Sequence, residues 1–352
     1  MAQQPQIIWE QGSAYDLFVS LWIIHRPDEF GLRPSWAAGV RSRLPLPLRD
    51  VLEQSQVFIN VPMNWVYTLP QPKDAQTALD TLNALPPEDR LPALVFDQKL
   101  DERSIAYREF LLALDGKQRL TSNIEKEIKG FFTKSKKATK AFNRALFDAW
   151  SNRASFGEQF TKALEVYVEN FFLEEEARII PAQAEALKNA QQRAKGEDLL
   201  SILEDLSAGV RMDWASGVSE LILAPSFWGS PFVFFDALDE DTGIILFGGR
   251  PKGETLVPGE LVPEDLLNAL KALADPTRLR ILRYLQEEPR TPSELAKILR
   301  LRPPTVIHHL RSLRLAGLVH VTVSPKSDRR YAYRNEGLGE TMKTLEVFIS
   351  GD

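Results

Sequence analysis

Arg302, Thr305, His308, Arg311 and Ser312 are the side chains whose types and spacing come closest to a recognisable chemistry. At about 100° per residue the last four share one face of a helix with Pro304, while Val306, Leu310 and Leu313 take the other side. A short face of hydroxyl, imidazole and guanidinium groups can bond base edges in a DNA major groove, which admits one α-helix. A second basic group follows. Lys326, Arg329, Arg330 and Arg334 lie on a segment placed to neutralise backbone phosphates. The bland reading of these cations is solubility, and of His308 and His309 it is helix surface and packing. Helix pattern, local charge and position agree, which favours nucleic-acid contact.

Catalytic patterns are missing. There is no G-x-S-x-G elbow, phosphate-binding glycine loop, dinucleotide fingerprint or histidine-carboxylate metal pair, and the glycines and cations of residues 248–253 lack the helix and the Lys-Ser/Thr that a phosphate loop needs. His25, the one histidine outside this C-terminal region, ends an apolar helix and reads as a packing or capping residue. The expectation is therefore a binding protein rather than an enzyme, with no catalytic residues, no metal site and no cofactor.

The reading face needs elements to hold it. Thr291 can cap the amide of Glu294 while that carboxylate reaches back, and Pro292 takes the first helical position, so a helix starts there. Leu295, Ile298 and Leu299 form its apolar side, and residues 300–302 are too short to be anything but a turn into the next helix. That second helix opens at Pro303-Pro304 and ends at Gly317, a residue suited to the left-handed conformation. Val319, Val321 and Val323 then alternate in one strand, residues 325–328 carry turn chemistry, and residues 329–334 return as a basic strand. Upstream, Asp275 and Pro276 start one more helix.

Ala274 to Leu285, the Ser293-Glu294-Leu295-Ala296 start, Thr305-Val306-Ile307-His308-His309-Leu310 and Ala316-Gly317-Leu318-Val319 together resemble the ArsR family of bacterial winged-helix repressors, over roughly residues 263–350. The resemblance implies a homodimer on a partly palindromic operator, released by a ligand or metal. Two features depart from the family. The chain has no cysteine, so the thiolate metal sites of the arsenic and cadmium sensors cannot form, and its four histidines leave the C-terminal helix without the ligands of the zinc sensors. Arg302 stands where the family often has a helix-capping serine, which exchanges a neutral cap for a phosphate contact.

The chain has 352 residues, 44% hydrophobic and 26% charged, enough for two or three domains. Its net charge of −5 hides an asymmetry: residues 263–335 hold 14 Lys or Arg against 7 Asp or Glu, a net +7 that leaves −12 for the remainder. A basic reader on an acidic body is the footprint of a nucleic-acid-binding protein. Residues 1–10 have neither a basic start nor an apolar core, and the most apolar stretch, residues 221–235, is broken by Pro225, Gly229 and Pro231. No signal peptide, no membrane span and a cytoplasmic location are expected.

Residues 1–250 are expected to form a mostly helical regulatory or dimerisation domain with a small sheet near 219–248, residues 251–263 a linker rich in glycine and proline, and residues 264–352 the winged helix-turn-helix. The fold class is thus mainly α with a small β component: an N-terminal helical (α+β) domain followed by a C-terminal winged helix-turn-helix. Ile7-Ile8-Trp9 is a strand candidate, and helical periodicity covers residues 14–25, 49–58, 74–85, 101–114, 121–153, 156–180 and 181–208. Residues 117–144 hold nine cations against two acids, which reads as a solvated face before an auxiliary DNA contact. Glu174, Glu175 and Glu176 read as solvated charge, and the seven tryptophans, all outside the reader, as core. Ser13-Ala14-Tyr15-Asp16-Leu17 and Leu223-Ala224-Pro225-Ser226, in this order before the reader, resemble a subgroup of ArsR-like proteins with a large N-terminal domain of unknown function.

These readings converge on a sequence-specific transcriptional regulator, a repressor, that binds double-stranded DNA as a homodimer. An organic or peptide effector, or a partner protein, at the N-terminal domain would control it. The alternatives are an interaction protein whose winged helix docks another protein, and an enzyme with an unrecognised N-terminal site.

Overall fold

The computed structural model describes residues 5–96, 102–132, 139–207, 209–251, 253–257, 262–324 and 327–350. Pro325 and Lys326 of the expected turn, residues 133–138 of the basic stretch, and residues 252 and 258–261 of the expected linker lie outside the described residues, while Ser327 and Asp328, expected in that turn, begin a strand. The protein is mainly α with small sheets. No helix among the described residues is long and apolar enough to cross a membrane.

After β1 (Gln6–Trp9), the chain runs through α1 (Ser13–Ile24), α2 (Pro27–Phe30), α3 (Pro34–Ser42), α4 (Leu46–Ser55), α5 (Met63–Tyr67) and α6 (Ala75–Ala84). Next come α7 (Pro87–Val95), α8 (Glu102–Leu112), α9 (Ser122–Phe131) and α10 (Lys140–Ser151). Prolines open α2, α3, α4 and α7 at the position where a missing amide leaves no bond unmade. α1 is buried almost all round, as a helix with apolar residues on every side must be, and forms the axis of the body.

Beside it, α11 (Arg153–Tyr167), a π-helical turn (Val168–Phe172) and α12 (Leu173–Arg193) make one rod, with Pro181 inside α12. Ser20 Oγ and Tyr167 Oη, 2.9 Å apart, tie α1 to this rod. Residues 181–208 are not one helix as the periodicity suggests, because α12 ends at Arg193 and Asp198 caps a separate α13 (Leu199–Leu206) through the amides of Leu200 and Ser201. Of the three glutamates on α12, Glu174 is exposed as expected, but the other two are engaged. Glu175 is buried and accepts from Arg178 at 2.6 Å, and Glu176 accepts from Ser13 Oγ at 2.6 Å and the Ala75 amide at 2.9 Å.

The sheet near residues 219–248 is larger than its local pattern suggested. β3 (Glu220–Ser226), β4 (Phe234–Ala237) and β5 (Thr242–Gly248) are joined by β1 in the order β1-β3-β5-β4, with β1 and β5 parallel to β3 and β4 antiparallel to β5. The runs Leu221–Ile222–Leu223–Ala224 and Ile244–Ile245–Leu246–Phe247 are buried on both faces, which is why they read as continuous rather than alternating.

The C-terminal region comprises α14 (Glu264–Leu273), α15 (Pro276–Glu287), α16 (Pro292–Leu299), α17 (Pro303–Leu315), β6 (Val319–Ser324), β7 (Ser327–Tyr333) and α18 (Asn335–Ser350). Ile281, Leu285, Leu295, Val306, Leu310 and Leu313 close its core. Its hairpin is not isolated. β2 (Val210–Arg211) pairs in parallel with β6, Val210 opposite Val321, so the body supplies the first strand of a three-stranded sheet β2-β6-β7.

Candidate nucleic-acid interface

Local chemistry sets each element of the reader. Asp275 accepts the Arg278 amide at 2.9 Å to start α15. The expected reciprocal cap at α16 is formed: Thr291 N donates to Glu294 Oε2 at 2.7 Å and Glu294 N to Thr291 Oγ1 at 3.3 Å. Arg300 ends α16 in the left-handed region (φ 56°), and Gly317 takes the same region (φ 65°) between α17 and the hairpin. Arg302 precedes α17 without making a side-chain cap, which leaves its guanidinium outside.

The expected site residues divide into two sets. Arg302, Thr305, His308 and Arg329 are exposed, and no carboxylate among the described residues pairs with Arg302 or Arg329. Arg330 is half exposed but engaged, since Nη1 donates to Pro289 O at 2.9 Å and Nη2 reaches Glu294 at 3.5 Å, which fastens the hairpin to α16. Arg311, further along the reading face, lies 3.5 Å from Glu29 of α2. Ser312 donates to His308 O at 3.2 Å and lines, with Asn268, Lys271 and Leu315, an open cavity of about 530 Å³ between α14, α15 and α17. Lys326 lies outside the described residues.

Arg334, expected near phosphate, and Arg278 are engaged internally. Arg334 donates to Gly317 O at 3.3 Å and pairs with Glu340 at 3.2 Å, closing the base of the hairpin. Arg278 donates to the carbonyls of Lys271 (2.7 Å) and Ala272 (3.0 Å), capping α14. His309, partly buried, has its pKa lowered by burial, against a raising influence from Asp275.

Sequence reasoning missed Arg314. It sits on the flank of the buried side of α17 at 5% exposure, donates to Ser207 O and to Pro231 O (3.5 Å), and lies over the ring of Phe232 at 6.0 Å. Burial lowers its pKa to about 10, which still leaves it charged near neutrality. Its neighbours in sequence are apolar or basic, and nothing local marks it as a joint. Among the described residues no group of three or more His, Asp or Glu could hold a metal ion.

The assembly is a trihelical core with a capped helix-turn-helix, an exposed basic helix start and a basic hairpin. Residues 275–321 match the family model for the bacterial regulatory protein, arsR family. The C-terminal region of this chain is an ArsR-family helix-turn-helix. A solved structure described as an ArsR-like transcriptional regulator from Rhodococcus sp. RHA1 is 31% identical over 25% of this chain and 81% of that chain, with a TM-score of 0.23. No curated protein matches the chain. The ArsR-family segment covers α15, α16, α17 and the start of β6, so it contains the exposed reading residues, while Arg329 and Arg330 fall just beyond it.

Proposed function

We propose that this chain is a sequence-specific DNA-binding transcriptional regulator that acts as a repressor. The observation that carries the reading is the exposed row Arg302, Thr305 and His308 at the start of α17, flanked by the exposed Arg329 on the hairpin. In helix-turn-helix readers the N-terminal part of the recognition helix meets base edges, and flanking cations set the register on phosphate. Thr305 and His308 would read bases, while Arg302, Arg329 and Arg330 would hold backbone.

Two such helices about 34–36 Å apart would enter successive major grooves, so the reading requires a homodimer. α18 supports this, because Leu338 (38% exposed), Met342 (45%) and Ile349 (74%) leave an apolar stripe that a second copy would cover. Sedimentation should find Met342→Glu shifted toward monomer; an unchanged dimer would move the interface elsewhere. Control is assigned to the body, where an organic or peptide effector would change the spacing or order of the two readers. The body is read as a binding domain, not an enzyme.

Fluorescence anisotropy with the DNA upstream of the protein's own gene and with a scrambled duplex, each over a salt series, tests this reading. Binding ~10³-fold tighter to the native fragment is expected of a specific regulator. Absence of binding to either duplex at low salt would reject it.

A further inference from the structure

One line of side chains runs the length of the reading face: Pro304, His308, Arg311 and Leu315 recur at three- and four-residue spacing on α17. Its two ends have different surroundings. Pro304 and His308 are exposed and free of the body, whereas Arg311, though also exposed, and the half-buried Leu315 meet it. Arg311 Nη2 lies 3.5 Å from Glu29 Oε2, so a carboxylate occupies a guanidinium that would otherwise face phosphate. Immediately after α2, Gly31 packs so closely on Leu315 that a Cβ there would stand 2.5 Å from Leu315 Cδ2, and its φ of +75° is one that glycine adopts without strain.

This contact is held from behind. Phe30 lies edge-on to Phe232 at 5.1 Å and stacks on Phe234 at 6.2 Å, and Arg314 covers Phe232 from α17. The acidic tip of α2, with Asp28 and Glu29 exposed, therefore stands fixed beside the second half of the recognition helix.

A helix with its side chains is about 10–12 Å across and a major groove about 12 Å wide, so one helix fills the groove. A second element abutting the same stripe cannot enter with it. We propose that α2 and Gly31 form an autoinhibitory clamp: in the conformation described, only the first half of α17 can reach DNA, and full seating requires the clamp to leave Arg311 and Leu315. The inference rests on the DNA-binding reading above and adds the device through which the body restrains it. The apparent affinity is then the intrinsic affinity reduced by the fraction of molecules with the clamp open.

The absence of native cysteine makes the test clean. Leu315→Cys removes the nearest atom that a Gly31→Cys side chain would strike, Asn268 Nδ2 at 3.0 Å must give way, and the Cβ is strained at φ +75°, so folding of the double variant is checked first. The present 3.4 Å from the Gly31 Cβ position to Leu315 Cγ is close to disulfide reach. Binding of the full-length double variant to the upstream fragment and to a scrambled duplex is measured by anisotropy, oxidised and then reduced. The clamp predicts at least ~10-fold weaker binding when oxidised, restored by reductant. Equal affinity in both states overturns the clamp while leaving DNA binding intact. No binding by wild type or by reduced variant at low salt overturns the DNA-binding reading, and the clamp with it. Should the double variant not fold, Glu29→Gln, at an exposed position, carries the test: tightening of about 2- to 5-fold supports the clamp, and unchanged or weaker binding overturns it.

Discussion

Asp16 in the body and Arg329 on the reader are both charged, yet their surroundings are opposite. Asp16 is fully buried and accepts four hydrogen bonds, from Ser226 Oγ (2.6 Å), Phe227 N (2.8 Å), Trp228 N (2.9 Å) and Gln183 Nε2 (2.9 Å). Burial pushes its pKa up to about 6, and the donors pull against that. Arg329 is exposed, with no carboxylate among the described residues to neutralise it. Asp16 joins α1, α12 and the turn after β3, so this carboxylate is structural. The reader leaves Arg302 and Arg329 exposed, and in the proposed function these cations answer a polyanion.

The comparison can be broken first at Asp16. Asp16→Ala leaves four donors without their acceptor, and a loss of about 3–5 kcal/mol in unfolding free energy is expected from urea titration. A loss below about 1 kcal/mol would show the carboxylate is not the body's joint.

Protonation sharpens the same contrast. His25 is largely buried, its Nδ1 2.8 Å from Leu21 O and its Nε2 without a partner, and burial chiefly lowers its pKa from 6.5 to about 4. With the folded value below the unfolded one, the unfolded chain binds the extra proton between these limits, so His25 contributes stability above pH 6.5 that is lost as pH falls toward 4. Asp16, raised from 3.8 to about 6, acts in the opposite sense and loses stability as pH rises through that window. Comparing wild type with His25→Gln isolates the histidine: the wild-type advantage should grow by up to about 3 kcal/mol from pH 4 to 6.5. An advantage independent of pH would contradict a neutral, buried His25.

Arg314 stands between the two regions, charged like the reader but buried like the body. Arg314→Ala should cost about 1–3 kcal/mol through the unpaired carbonyls of Ser207 and Pro231. It should also raise amide exchange in β2 and the first turn of α2, where body and reader meet. Unaltered exchange there would place the joint elsewhere.

The reader was legible because its signals are local. The Thr291 and Glu294 cap, the Pro303-Pro304 start, Gly317 and the alternating valines each act within a few residues. The body resisted the same reading because its determinants are distant: Asp16 finds partners 167 to 212 residues further along. Ile7-Ile8-Trp9 was recognisable as a strand, but nothing local places it beside Leu221-Ile222-Leu223. Among the expected site residues, helical spacing placed Thr305, His308 and Arg311 on one face. It could not register that α2 occupies the far end of that face, since Glu29 and Arg311 meet only in the folded chain.

The smallest structural change with the most direct functional consequence is removal of one exposed cation. Arg329→Ala should leave the thermal midpoint unchanged and weaken binding of native and scrambled duplex alike, because a phosphate contact carries no base information. The decisive measurement is the salt dependence of that binding, as the slope of log K against log salt for wild type and Arg329→Ala. A slope shallower by about 1 in the variant is predicted from the loss of one phosphate contact. An identical slope and affinity, with wild type bound, would contradict the claim that the reader's unpaired cations face DNA.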